Sequence, residues 1–218
     1  MSETHIAPEV LADFADYPLV AAQPGIWIAD QIAHRSNTFT VAHYSELHGE
    51  IDRHALDRAI RQTMAEADTV QARFGLAADG TPVQTLPLRS TPQQVQPVEW
   101  IDFSQHADPR QAAQALMQDD LAADLAADGE RPLYRQVMMR VGDGGWLWYQ
   151  RYHHLLVDGF SFEALTRRVA EIYRALRAQE TPAASPFIPF GEVVAEYLDY
   201  PHSPAYERAA LFWQQHGA

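Results

Sequence analysis

The chain contains no cysteine and no lysine. Without cysteine it has no disulfides, no thiolate metal ligands and no cysteine nucleophile. All 16 basic residues are arginine, which excludes Schiff-base chemistry and a Walker-type phosphate loop, because both need a lysine amine. The formal net charge of −13 repels phosphate backbones, so we expect no nucleic-acid partner.

Apolar runs of membrane-spanning length and a basic-then-apolar leader are also missing from the sequence. We therefore expect no membrane association and a cytoplasmic location. The 218 residues, of which 47% are hydrophobic, are sufficient for a sizeable core. Residues 1–16 look like a loose acidic leader, and we expect the folded part to span residues 17–218.

Hydrophobic periodicity and turn residues predict strands and helices in alternation. Helices are predicted at Pro24–His34, after a cap at Asp52, from Asp108 to about Ala126, after Gly159, and at 204–216. Strands are predicted at 38–47 and 98–102 and in two hairpins, 69–76 with 81–88 and 132–141 with 146–153. This order predicts an α/β sandwich with a largely antiparallel or mixed sheet.

The stretch YQRYHHLLVDGFSF, residues 149–162, is a predicted strand-to-helix corner with two adjacent histidines. Neighbouring side chains of a strand point to opposite faces, so at most one of His153 and His154 faces a cleft. Adjacent histidines on a strand do not readily bind one metal ion, and we expect no metal site. Ser161 lacks the glycine-flanked elbow of a serine nucleophile. The pattern alone leaves a functional histidine and a pair of core histidines as alternatives.

Four stretches together resemble the condensation domains of nonribosomal peptide synthetases. HHLLVDGFSF carries their H-H-x-x-x-D-G motif, which is shared with the wider chloramphenicol-acetyltransferase-like superfamily. PLVAAQPGIW, 18–27, resembles their opening pattern, with Val20 where serine is usual. ADTVQARF, 67–74, resembles the second motif, with Ala67 and Gln71 departing from it. PFGEVVAEYLDY, 189–200, resembles a later motif, and the similarity extends over residues 17–216.

The resemblance implies a chloramphenicol-acetyltransferase-like fold, with this chain as the amino-terminal lobe of a two-lobed domain whose carboxy-terminal lobe is absent. It also implies that an acyl group on a donor carrier protein is joined to the amine of an aminoacyl group on an acceptor carrier protein. Both groups are thioesters on phosphopantetheine arms, so the lobe itself needs no bound cofactor. The implied partners are aryl or peptidyl carrier proteins, the second lobe and a downstream adenylation domain.

The resemblance places His154 in the cleft between the two substrates. A neutral imidazole there can act as a general base, or it can position the amine and the thioester; both roles stay open. His153 should point the other way as a buried structural imidazole.

Three further residues are expected to support the site. Asp158 is expected to pair with an arginine and fix the loop, because a buried carboxylate needs a partner. The usual partner position is Gln71 in this chain, which makes Arg73, two residues on, the best substitute. Gly159 is expected to permit a tight backbone approach and to present its N–H to a substrate.

Two other functions share these features. An epimerisation-type lobe carries the same histidine motif but abstracts an α-proton, and a lone lobe could be a non-catalytic docking or structural fragment. For the condensation function, the resemblance points to siderophore synthesis, with an aryl acid such as dihydroxybenzoate as the acyl group and serine as the acceptor.

Overall fold

The computed structural model describes residues 14–33, 37–88, 95–123, 125, 127, 132–142 and 144–217. The strands are β1 (Phe14–Pro18), β2 (Thr40–His48), β3 (Arg73–Leu76), β4 (Pro82–Pro87), β5 (Glu99–Asp102), β6 (Tyr134–Arg140) and β7 (Gly145–His153). The α-helices are α1 (Gln23–Ile32), α2 (Arg53–Glu66), α3 (Pro109–Ala122), α4 (Gly159–Arg177), α5 (Phe190–Asp199) and α6 (Pro204–His216).

The strands form two sheets. A four-stranded mixed sheet has the order β2-β7-β6-β5, with β5 parallel to β6 and the other neighbours antiparallel. A three-stranded antiparallel sheet has the order β1-β4-β3. This confirms the predicted α/β sandwich with a mixed, mostly antiparallel sheet, and both predicted hairpins are present.

Helices cover both faces of the four-stranded sheet, because its central strands alternate between two cores. Met138, Trp148 and Tyr152 face one side and pack with α2 and α4 in the larger core. Val137 and Tyr149 face the other side and pack with α3. This period-two alternation is what a sheet buried on both faces requires.

The two helices over the larger core are held by caps and by one ion pair. The Asp52 carboxylate caps α2 by accepting from the main-chain N–H of Ala55, as predicted. Arg168 of α4 donates to both carboxylate oxygens of Glu66 at the end of α2, at 2.7 and 3.0 Å, and to the carbonyl of Ala183 at 2.8 Å. These contacts fix the position of α4, and therefore of the loop that precedes it.

Several predicted boundaries were wrong. The predicted strand 69–76 begins only at Arg73, because residues 68–71 form a 3₁₀ turn continuing from α2. Helix α3 ends at Ala122, short of the predicted Ala126, which is outside the described residues. The predicted leader 1–16 overlaps β1, in which residues 14–16 pair with β4; residues 1–13 are not among the described residues.

Candidate active site

Strand β7 ends at the histidine pair and places the two rings in different surroundings. His153, its last residue, is completely buried, whereas His154 is exposed in the turn that follows. The main-chain N–H of His154 donates to the carbonyl of Phe39 at 2.7 Å, which extends the pairing of β7 with β2 by one residue. The structure thus buries one of the two rings and exposes the other, and that either faces a substrate cleft stays a prediction.

The buried His153 is held by hydrogen bonds at both ring nitrogens. Its Nδ1 accepts from the main-chain N–H of Leu155 at 3.1 Å, so the ring proton is on Nε2, which donates to the Asp30 carboxyl group at 3.3 Å. Burial lowers the pKa of His153, and the hydrogen bond to Asp30 acts in the opposite direction. The ring is thus a neutral structural group that fixes the corner to α1.

The exposed His154 has the opposite tautomer. Its Nδ1 lies 2.7 Å from the carbonyl oxygen of Val157. A carbonyl can only accept a hydrogen bond, so Nδ1 carries a proton, and in the neutral form of the ring the lone pair is on Nε2. A turn of three residues therefore orients this exposed ring, and its Nε2 has no hydrogen-bond partner among the described residues.

Asp158 is the N-cap of α4 and belongs to a capping box. Its Oδ1 accepts from the main-chain N–H groups of Phe160 and Ser161, at 3.1 and 2.9 Å, and from the Ser161 hydroxyl at 2.7 Å. The Ser161 hydroxyl also accepts from the main-chain N–H of Asp158. The hydrogen bond from the Ser161 hydroxyl lowers the pKa of the Asp158 carboxyl most, burial opposes it, and the two backbone N–H groups lower it further.

The predicted ion pair between Asp158 and Arg73 was wrong. Asp158 is exposed, and within the described ranges no cation lies in salt-bridge contact with it. Arg73 is also exposed, and its guanidinium lies over the ring of Phe14, 5.5 Å from the centroid. The Gln71 amide donates to the carbonyls of Met64 and Ala65 and closes the turn after α2. The carboxylate needs no ion pair, because the start of the helix supplies its donors.

Gly159 is the first residue of α4 and has ordinary helical geometry. A Cβ added there would meet no atom within 4 Å. The expected tight backbone approach is therefore not made to any group of the described chain.

Two residues that the sequence did not single out as site residues hold the corner in place. The Gln23 and Gln84 side-chain amides bond each other reciprocally, at 3.0 Å in both directions. Gln23 also donates to the carbonyl of Leu155 at 3.3 Å, and Gln84 donates to that of Pro18 at 2.9 Å. Gln23 lies within the AAQPGIW stretch that resembles the family's opening pattern, so the sequence could have pointed to it. No motif of the sequence pointed to Gln84.

A partly open cavity of about 320 Å³ lies beside this corner. Val157 and Ser161 line it on the side of the histidine loop, and Val70, Phe187 and Ile188 line it on the other. Within the described part of the chain, no group of three or more His, Asp or Glu side chains could hold a metal ion. None of the described helices is long and apolar enough to cross a membrane.

The sequence model of the condensation domain family matches residues 14–218, and the chain belongs to this family. Enterobactin synthase component F from Escherichia coli is 48% identical over 199 residues, covering 91% of this chain and 15% of that protein. Vanchrobactin synthetase VabF from Vibrio anguillarum is 31% identical over 214 residues, covering 93% of this chain and 7% of that protein. The relatives thus include siderophore synthetases, of which the chain spans a small part.

Solved condensation domains confirm the predicted chloramphenicol-acetyltransferase-like fold. The starter condensation domain of rhizomide synthetase RzmA superposes with a TM-score of 0.81 at 32% identity, covering 93% of this chain and 48% of that one. The first condensation domain of the calcium-dependent antibiotic synthetase, in complex with a substrate analogue, gives 0.80 at 31% identity, covering 92% and 47%. Condensation domains of such synthetases are acyltransferase-type enzymes, and this chain spans about half the length of the solved ones.

Proposed function

We propose that this chain is the histidine-bearing half of a site that forms an amide bond between two carrier-bound substrates. The donor is an acyl thioester on an aryl or peptidyl carrier protein, and the acceptor is the amine of an aminoacyl thioester on a second carrier. The orientation of His154 carries the proposal, because its Nδ1 is held by the Val157 carbonyl and its unprotonated Nε2 faces outward.

His154 Nε2 takes a proton from the amine as the amine attacks the thioester carbon. The new C–N bond forms, the C–S bond breaks, and the protonated His154 returns its proton to the leaving pantetheine sulfur, which departs as a thiol. General-base assistance of this kind contributes roughly 10²- to 10⁴-fold. The Val157 carbonyl accepts a hydrogen bond from Nδ1–H in both protonation states, so the ring keeps its orientation while Nε2 takes up and releases the proton.

The α4 start supplies the scaffold beside this base. The capping box of Asp158 and Ser161 fixes the first turn of α4, and the N–H of Gly159 is the first main-chain donor of the helix. We include in the proposal that this N–H faces a substrate oxygen, where the positive end of the helix favours negative charge.

The second half of the domain is the further partner in this proposal, with a downstream adenylation domain beyond it. The described carboxy-terminal segment exposes a large apolar surface. Its side chains on α5, α6 and the turn between them are Tyr197, Leu198, Tyr200, Tyr206, Leu211, Phe212 and Trp213, each between 44% and 65% exposed. Such a surface is typical of an interface. By similarity to the siderophore synthetases, the proposed acyl group is dihydroxybenzoyl and the proposed acceptor is serine.

The test replaces each histidine in the longer protein that contains both halves of the domain. We expect His154→Ala to lower the rate of amide formation between loaded carriers by about 100-fold or more and to leave the melting temperature unchanged, because the side chain is exposed. His54→Ala, on the exposed side of α2, is the control for both the rate of amide formation and the melting temperature. Unchanged condensation by folded His154→Ala would rule out His154 as the base.

A further inference from the structure

A chain of hydrogen bonds runs between five side chains on one face of the four-stranded sheet. Trp148 Nε1 donates to Gln136 Oε1 at 2.9 Å, and Gln136 Nε2 donates to the Tyr152 hydroxyl at 2.8 Å. The hydroxyl donates to Gln150 Oε1 at 3.0 Å, and Gln150 Nε2 lies 3.0 Å from His43 Nε2. The first four side chains are at most 3% exposed, and His43 at the end is only half-buried.

The indole at the start fixes the direction of the whole chain. An indole N–H can only donate, so Gln136 must turn its oxygen to Trp148 and its amide nitrogen to Tyr152. Burial raises the pKa of Tyr152, so the hydroxyl keeps its proton. Gln150 Oε1 is a better acceptor for that proton than the sulfur of Met64, 3.7 Å away. Gln150 must then donate to His43.

The state of the His43 ring follows from this direction. Its Nε2 accepts from Gln150, so the ring proton is on Nδ1. Burial lowers the pKa of His43, which keeps the ring neutral at neutral pH. In the part of the chain that the structure describes, no group accepts from Nδ1–H. A buried network thus ends in a half-buried neutral ring whose Nδ1–H has no acceptor among the described residues.

His43 lies on the same sheet as the proposed site and beside the start of α4. It belongs to β2, an outer strand of the four-stranded sheet, and its ring meets the Phe162 ring edge-on, with centroids 4.3 Å apart. Phe162 is in the first turn of α4, directly after the Asp158–Ser161 capping box, and also contacts Tyr152. His43 pairs with Gln150, four residues before His154, which is roughly 13 Å along the strand.

We propose that His43 is a specificity residue that donates its Nδ1–H to an oxygen substituent of the acyl group, while Phe162 contacts the apolar body of that group. The inference rests on the proposed function, since it takes an acyl thioester to be held at His154. A fixed donor beside an aromatic edge suits a hydroxylated aryl group better than an unsubstituted one, because the unsubstituted group leaves the N–H unpaired.

The first test is the tautomer of His43, which needs no substrate. Long-range ¹H–¹⁵N NMR of the 218-residue chain should show protonated Nδ1 and unprotonated Nε2. Gln150→Glu puts an oxygen opposite Nε2 and should move the ring proton to Nε2. Trp146→Phe, on the same face of β7 but outside the hydrogen-bond chain, is the control and should change nothing. An Nε2–H tautomer in the wild-type chain would overturn the inference.

The second test measures acyl selectivity in the two-lobed protein with benzoyl and 2,3-dihydroxybenzoyl groups loaded on an aryl carrier protein. Asparagine and leucine have nearly equal shape, and neither places an atom at the Nε2 position opposite Gln150, but only asparagine keeps a donor near the Nδ1 position. His43→Leu should lower kcat/KM for the dihydroxybenzoyl donor about tenfold, mainly through KM, and barely affect benzoyl transfer. His43→Asn should retain most of the wild-type selectivity.

The outcomes separate the two proposals. If the wild-type two-lobed protein forms no amide from either donor, the proposed function fails. If it condenses both donors and His43→Leu and His43→Asn show the same selectivity, the role of His43 fails while the proposed function stands.

Discussion

At the scale of single residues, the adjacent histidines differ because each meets a different fixed partner. A main-chain N–H faces His153 Nδ1 and a carbonyl faces His154 Nδ1, so the two rings hold their protons on opposite nitrogens. One ring therefore has both nitrogens engaged in the core, and the other keeps a free base outside. The proposed chemistry and the structural role are thus divided between two neighbours of identical type.

The buried His153 should make the stability of the chain pH-dependent. Its pKa is lowered in the folded state, so below about pH 6.5 the unfolded chain takes up a proton that the folded chain does not. The free energy of unfolding should therefore fall as the pH falls from 7.5 to 5.5. Burial also lowers the pKa of His43, so His43 should destabilise the chain in acid as well. The contribution of His153 alone is therefore measured as the difference between the wild type and a His153 variant.

Urea unfolding of His153→Gln should show a weaker pH dependence over this range, because the amide does not titrate. His153→Ala should be less stable at every pH by roughly 2–5 kcal/mol, since it leaves a void and removes the partner of Asp30. His54→Gln, at an exposed position on α2, should retain the wild-type profile. An unchanged profile for folded His153→Gln would show that the buried ring does not contribute.

At the scale of elements, the start of α4 depends on its cap. Asp158→Ala should destabilise the chain by about 1 kcal/mol, the usual effect of losing an N-cap side chain. Asp158→Asn, which keeps an acceptor oxygen, should lower the free energy of unfolding by only about 0.3 kcal/mol. Urea unfolding followed by circular dichroism gives both values.

The cap should also lose its stabilising effect in acid, but for a different reason from His153. Hydrogen bonds favour the charged form of Asp158, whereas burial disfavours the charged form of His153. The pKa of Asp158 is lowered in the folded state, so its stabilising effect is present above about pH 4 and is lost as the pH falls further. The difference between wild type and Asp158→Ala should therefore shrink in acid. A loss of about 3 kcal/mol or more at neutral pH would instead indicate a buried ion pair.

The sequence alone was sufficient to predict contacts between residues close together in the chain and the order of the helices and strands. Asp158 and Ser161 have the spacing of a capping box, so the cap could have been read directly, yet the family motif led to an ion pair with Arg73. The Gln23–Gln84 pair joins residues 61 positions apart, and periodicity does not predict such a contact. The turn at 68–71 was missed because Val70, Ala72 and Phe74 alternate with polar residues as they would in a strand.

At the scale of the whole molecule, the described fold is well packed around the sheet and open at two places. The histidine corner is exposed, and the carboxy-terminal helix α6 has no buried residue. The chain covers about half of the solved condensation domains. The proposal of a second half of the domain places it against α6 and makes it the other wall of the site.

We expect the isolated 218-residue chain to condense loaded carrier proteins far more slowly than the two-lobed protein. With one wall, neither pantetheine arm is held, and the gain from placing two tethered reactants together is lost. The measurement is amide formation by the isolated chain, by the two-lobed protein, and by the isolated chain with the second lobe added as a separate polypeptide.

The variant Leu211→Gln on α6 should weaken the recovery of amide formation by the added lobe if that face is the contact. The exposed Arg167→Gln on α4 is the control and should leave recovery unchanged. Equal rates for the isolated chain and the two-lobed protein would show that the histidine corner and its cavity form a complete site, with the apolar face of α6 serving another contact.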